Sequence, residues 1–205
     1  ETDGIAIPPT PVVGGVGLIE DLDKVATLKG AQDGDLLVLI GETKGHLGAS
    51  LYAREMLGLD GEAAGPPPPV DLATEQRNAD CVRELIEQGL VNAVHDVSDG
   101  GLACAATEMA MANAVGVEFI EEPVLEMFEI LFGEDQNRVL LAARSENFDS
   151  VRAVAARFGV EVIGTRGSFG GSGIKLSEYS DTTIPLSRLR EEHEGWLPTY
   201  MSKVD

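Results

Sequence analysis

Residues 94–101 read VHDVSDGG and run straight into LACAA. Asp96 and Asp99 sit three positions apart. Their carboxylates are hard oxygen ligands suited to Mg2+, an ion usually shared with the phosphates of a substrate. Gly100 and Gly101 let the backbone turn sharply and a ligand approach closely. The helix they open would offer unsatisfied N–H groups and the positive end of its dipole, a natural seat for phosphate. On that reading Ser98, Gly100 and Gly101 bind the phosphate of a cofactor, and Asp96 and Asp99 bind metal. The plainer reading is that Ser98 or Asp99 only caps the helix. The pattern leaves both open.

A second polar run, FGEDQNR at 132–138, places Glu134, Asp135 and Gln136 at a turn before a strand. Either a carboxylate–amide pair there faces a ligand at the sheet edge, or the run is a polar turn and nothing more. GETKGHLG at 41–48 hints at a phosphate loop but lacks the Lys-Ser/Thr that such a loop requires. GSFGGSG at 167–173 lacks the glycine spacing of a dinucleotide site. His46, His95 and His193 are scattered, and no metal triad emerges. Of the three, only His95 stands beside other polar chemistry. No nucleophile–base motif appears, so no catalytic residue is assigned.

The elements that must position these residues follow from periodicity. PVVGGVGL at 11–18 reads as a buried strand entered through prolines 8, 9 and 11, and DLLVLIG at 35–41 as a stronger one. A short helix is expected over about 49–57. GEAAGPPPP at 61–69 breaks the chain. From Asp71 a helix carries Leu72, Ala79, Val82, Leu85 and Ile86 on one face and ends at Gly89. LVNAV leads into the first motif. A helix over 101–114 turns Leu102, Ala105, Ala106, Met109 and Ala112 inward. Beyond it come a strand at 116–121, a helix at 123–131 and a strand at 138–144. A helix opening at Ser145 buries Phe148, Val151, Ala155 and Phe158, and another strand follows at 160–165. RGSFGGSG reads as a loop, IKLSE and TTIPL as a hairpin, and a helix from about Ser187 closes the chain. Strands and helices alternate without a strict βαβ beat, which predicts an α/β fold, a three-layer α/β/α sandwich on a mixed sheet.

Composition bounds the partners. Asp and Glu number 35 against 15 Lys and Arg, a net charge of −20. Such a surface repels phosphate backbones and anionic lipid, which argues against nucleic-acid or membrane partners. At 43% hydrophobic residues the chain can build a core. No stretch reaches the ~20 apolar residues of a membrane span. Cys81 and Cys104 lie far apart, read as reduced, buried small hydrophobes, and point to a cytoplasmic protein.

Taken in order, ETDGIAIPPTPVVGGVGLIED, the turn near GHLGAS, VHDVSDGGLACAATEMA and LFGEDQNRVLL closely resemble phosphoribosylformylglycinamidine synthase, over nearly the whole chain. The likeness is to the C-terminal domain of the second half of its synthetase subunit, the AIR-synthase-like C-terminal domain. Sister families of this superfamily lack the combination. The resemblance implies a single domain over 1–205 cut from a longer subunit, and a ligase reaction in de novo purine biosynthesis. There, ATP phosphorylates the amide oxygen of formylglycinamide ribonucleotide and ammonia displaces the phosphate. It implies ATP or ADP and Mg2+ as cofactors. As partners it implies the other domains of the chain, a glutaminase subunit and a small bridging subunit. In the family's first half the position matching Asp96 ligates Mg2+ and the stretch matching Glu134–Gln136 touches substrate. The second-half versions present here serve either an auxiliary nucleotide site or packing. The family's GNxS stretch lies just upstream of Glu1, so the fragment is expected to fold without catalysing and, with formerly covered surface exposed, to self-associate.

Overall fold

Leu36–Ile40 (β1) and Val139–Ala143 (β4) are apolar at every position, the pattern of strands covered on both faces. The computed structural model, which describes residues 4, 12–120, 125–160, 162, 165–177 and 181–202, pairs the two antiparallel along their whole length, Leu36 opposite Ala143 and Ile40 opposite Val139. Alternate side chains go to opposite cores. Leu37, Leu39, Leu140 and Ala142 enter one, while Val38, Ile40, Leu141 and Ala143 enter the other.

Five more strands complete the sheet: Ala93–Asp96 (β2), Val117–Phe119 (β3), Gly167–Phe169 (β5), Gly173–Lys175 (β6) and Ile184–Pro185 (β7). Their order is β2-β4-β1-β5-β3-β6-β7, antiparallel except for the β3–β6 pair. The sheet is therefore mixed, as expected.

Helices cover both faces. Leu72–Glu87 (α2) and Phe148–Arg157 (α5) bury Cys81, Val82, Leu85, Val151, Val154 and Ala155 in the second core. Gly101–Asn113 (α3), Met127–Phe132 (α4) and Leu186–Met201 (α6) close the first. Alanine dominates α3, and eight of its residues are buried, because its small side chains let it lie close under the sheet while α4 and α6 pack around it. Leu51–Glu55 (α1) is a short helix capped by Ser50, whose hydroxyl accepts from the Ala53 amide at 3.1 Å.

Several expectations are corrected. Residues 12–18 form no strand, and Val12, Val13, Val16 and Leu18 are each at least 89% exposed, because no strand among the described residues pairs with them. The buried face of α2 is rotated from the expected one: Asn78 and Cys81 join Val82 and Leu85, while Leu72 and Ala79 are exposed. RGSFGGSG is not all loop, since β5 lies inside it. The strand expected at 160–165 is not seen in residues 160, 162 and 165, and its other positions lie outside the described residues, as do 123 and 124 of the helix expected before β4. Cys104 is exposed where Cys81 is buried, and both thiols are free.

Two substitutions check this packing. Met109, with 0% exposure, loses about 2–5 kcal/mol on replacement by alanine. Leu72→Ala, at an exposed position, stays within about 0.5 kcal/mol of the parent. Urea unfolding followed by circular dichroism reads both.

Candidate functional site

β2 ends at Asp96, and the loop that follows turns through Ser98 and Asp99 into Gly100, which adopts φ 81° as the N-cap of α3. The segment 133–138 that feeds β4 runs beside it. Between them lies a cavity of about 470 Å3, lined by Asp96, Ser98, Asp99, Glu134 and Gln136. The expected carboxylates and amide thus share one rim. Gly100, Gly101 and Asp135 are not part of it.

The three exceptions have physical reasons. The Gly100 amide donates to Glu134 Oε1 at 2.8 Å, and the Gly101 amide donates to the Ser98 carbonyl at 3.1 Å. The helix tip expected to offer both amides to a phosphate has spent them on its own chain. Gly101 is also pressed against backbone: a Cβ there would lie 2.5 Å from the Gly133 carbonyl oxygen. Gly101 is needed for that close approach, and both glycines take positive φ, which L side chains rarely adopt.

Asp135 is buried, and its carboxylate accepts from three successive amides, Lys44 at 3.0 Å, Gly45 at 3.0 Å and His46 at 3.3 Å. GETKGHLG does cradle an anion, and that anion is a side chain of the same protein. Consecutive backbone N–H groups make such a nest. Glu134 acts in parallel. Its Oε1 also accepts from the Leu51 amide at 2.8 Å, and its own amide donates to the His46 carbonyl at 2.8 Å. Arg138, 2% exposed, donates Nε to the Asp135 carbonyl at 3.1 Å and Nη2 to the Gly133 carbonyl. Burial pushes its guanidinium below the ordinary value, against the upward pull of Asp135 and Glu134.

Asp96 is oriented more locally. The Ser98 hydroxyl donates to Oδ2, and His95 Nδ1 lies 3.3 Å from Oδ1. The Ser98 contact is the main cause holding the Asp96 carboxyl below its usual range, with smaller help from a backbone donor and His95. Among the described residues no group of three or more His, Cys, Asp or Glu could hold a metal ion. Two carboxylates, Asp96 and Asp99, are too few for Mg2+ alone. They suit an ion whose remaining ligands are phosphate oxygens and water.

The periodicity reading missed other parts of the wall. Glu75 and Asn78 reach it from α2, Pro67 and Pro68 from the proline run, and Asn137 and Arg138 from the second motif. Asn78 Nδ2 donates to the Asn137 carbonyl at 2.9 Å, which ties α2 to the rim. A polar residue on the buried face of a helix was the available signal, and a face placed one residue off hid it. Asn137 takes φ 64°, and among the described residues its buried Oδ1 has no hydrogen-bond partner.

With this geometry in view, likeness to known proteins decides the family. The family described as AIR synthase related protein, C-terminal domain, matches residues 32–175. The chain belongs to it. Two relatives of this AIR synthase related domain are the PurL subunits of phosphoribosylformylglycinamidine synthase from Caulobacter vibrioides and Methylocella silvestris. Each is 47% identical over 98% of this chain. The chain spans only 26% and 27% of their lengths. Among solved structures, Thermotoga maritima PurL complexed with FGAR matches with a TM-score of 0.67 at 20% identity, over 82% of this chain and 30% of that one. The same protein complexed with ATP matches at 0.63 and 18%, over 82% and 27%. These two support the α/β fold.

Two measurements test the site. Asp135→Asn puts an amide donor opposite backbone donors and lowers stability by about 1.5–3 kcal/mol in urea unfolding, as expected for loss of hydrogen bonds to a charged group. The folded Asp96 carboxyl titrates below its unfolded value, so its contact with Ser98 stabilises at neutral pH and is lost as pH falls through the folded pKa. Ser98→Ala therefore raises the Asp96 pKa in a carboxyl NMR titration and makes stability less dependent on pH in the acid range.

Proposed function

We propose that this chain is the C-terminal domain of the second half of a phosphoribosylformylglycinamidine synthase synthetase subunit. The whole enzyme is an ATP-dependent C–N ligase that converts formylglycinamide ribonucleotide to its amidine in purine biosynthesis. Residues 1–205 form one domain of that longer chain, with its other domains, a glutaminase subunit and a small bridging subunit as partners, in the cytoplasm. The observation that carries this reading is the 47% identity to PurL subunits over 98% of the chain, with both polar motifs meeting at one cavity.

Within the cavity Asp96 and Asp99 are the metal residues, carrying Mg2+ that arrives with the phosphates of ATP or ADP. Mg2+ there neutralises phosphate charge. Ser98 acts by orienting Asp96, and Gln136 is the amide that a ligand can reach. Glu134 contributes its unshared oxygen. Gly100, Gly101 and Asp135 serve the site by holding its loops. No catalytic residue is assigned, and the domain alone does not catalyse.

A second reading, a purely structural seal, is favoured by the way Asp135 and one oxygen of Glu134 are spent on backbone amides. Calorimetry with Mg-ADP on the full-length protein separates the two. The nucleotide reading expects binding through this cavity that Asp96→Ala removes, whereas binding unchanged by Asp96→Ala and Gln136→Ala leaves the structural seal. Amidine formation by the isolated chain at a normal rate would contradict the assignment of catalysis to the larger body.

A further inference from the structure

Residues 12–19 read VVGGVGLI, without a charge or a proline. In an extended chain alternate side chains face opposite ways. Val12, Val16 and Leu18 then fall on one face, and Val13 and Ile19 on the other. Both faces are apolar, as they are in β1 and β4. The side chains are bare: all five are exposed, and a Cβ on Gly14, Gly15 or Gly17 would meet nothing within 4 Å. The backbone is bare too, since among the described residues no backbone–backbone hydrogen bond reaches 12–20. Side chains and backbone therefore ask for the same thing, a neighbouring strand with apolar cover. Strands that stay at a solvent edge normally carry Lys, Pro or charge against unwanted pairing, and this one carries none.

The stretch leaves the body from an anchored root. The Thr27 carbonyl accepts from the Val94 amide of β2 at 2.8 Å, and Asn113 of α3 holds the Leu28 carbonyl at 2.8 Å and the Gly30 amide at 2.6 Å. The domain's own sheet offers no seat. At one edge the Val94 amide is already taken by Thr27, and at the other β7 is two residues long and includes Pro185. We infer that residues 12–19 pair as a strand into a sheet belonging to another part of the same longer subunit. The inference rests on the reading above that this chain is one domain of such a subunit. The PurL relatives leave room for that body, since this chain spans 26% and 27% of their lengths. A neighbour on the same polypeptide is met at an effective concentration on the order of millimolar. A second copy is the weaker occupant, because each chain carries −20 and two such bodies repel.

Hydrogen exchange followed by mass spectrometry on the full-length protein tests this, with Val13→Pro, Val16→Pro and Val16→Thr. Proline removes a ladder donor. N–H groups three positions apart in a strand point to opposite edges, so at least one of the two prolines breaks the pairing. Peptides covering 12–19 are expected to exchange at least about a hundredfold more slowly than unpaired backbone. One or both prolines abolish that protection, Val16→Thr keeps most of it, and β1 and β4 stay protected throughout. Exchange of 12–19 at the unpaired rate in a subunit longer than this chain would overturn the inference and leave the domain reading intact. Protection that appears only as a dimer forms, read by light scattering across a dilution series, would assign the seat to a second copy and overturn it as well. A native subunit no longer than this chain, by mass, would overturn the domain reading and the inference with it. Should the proline variants fail to fold, exchange in the parental protein decides alone, because it needs no substitution.

Discussion

Two adjacent carboxylates hold the cavity together. Glu134 and Asp135 sit at the end of one short segment and accept between them from the amides of Lys44, Gly45, His46, Leu51 and Gly100. Those donors come from the loop after β1, the start of α1 and the tip of α3. Three pieces of chain far apart in sequence are thereby gathered round one pair of side chains. Charge-assisted bonds to backbone are stronger than neutral ones, and Asp135 makes its bonds out of water, where an unpaired partner is costly. Arg138 closes the same segment from behind through the carbonyls of Gly133 and Asp135.

That arrangement explains why the rim has a division of labour. Residues that face inward hold loops, and residues that face the cavity stay open to a guest. Neighbours in the sequence therefore do different things: Asp135 is buried in a cradle of amides while Gln136 is exposed on the wall. Ser98 belongs to both groups, since its carbonyl takes the Gly101 amide while its hydroxyl steadies Asp96.

Much of the architecture was legible because the strongest signals were also the most buried. Within DLLVLIG and RVLLAAR the runs 36–40 and 139–143 are apolar without interruption and became two adjacent interior strands. The Ala-rich run after GG became the helix beneath them, and the closing hairpin appeared as β6 and β7. At the site, the two motifs were recognisable by residue type, and their meeting at one cavity followed from β2 and β4 being neighbours. What the pattern could not convey was the partner of each polar atom. A carboxylate that seats backbone amides looks the same in sequence as one that awaits a ligand. For that reason the free amides expected at Gly100 and Gly101 were wrong, and Asn78 went unnoticed. The valines of 12–18 misled for a related reason. Apolar residues predict burial, but not which body supplies the cover.

Among the described residues, neither core takes a buried side chain from before Ala31, and only Leu28 leans on one from its edge. In energetic terms the cooperative unit starts near position 28. The valine-rich stretch at 12–18 ahead of it adds no buried side chain to either core. None of its residues lines the cavity between β2 and β4, so that surface and the cavity are separate faces on which a neighbour and a guest do not compete.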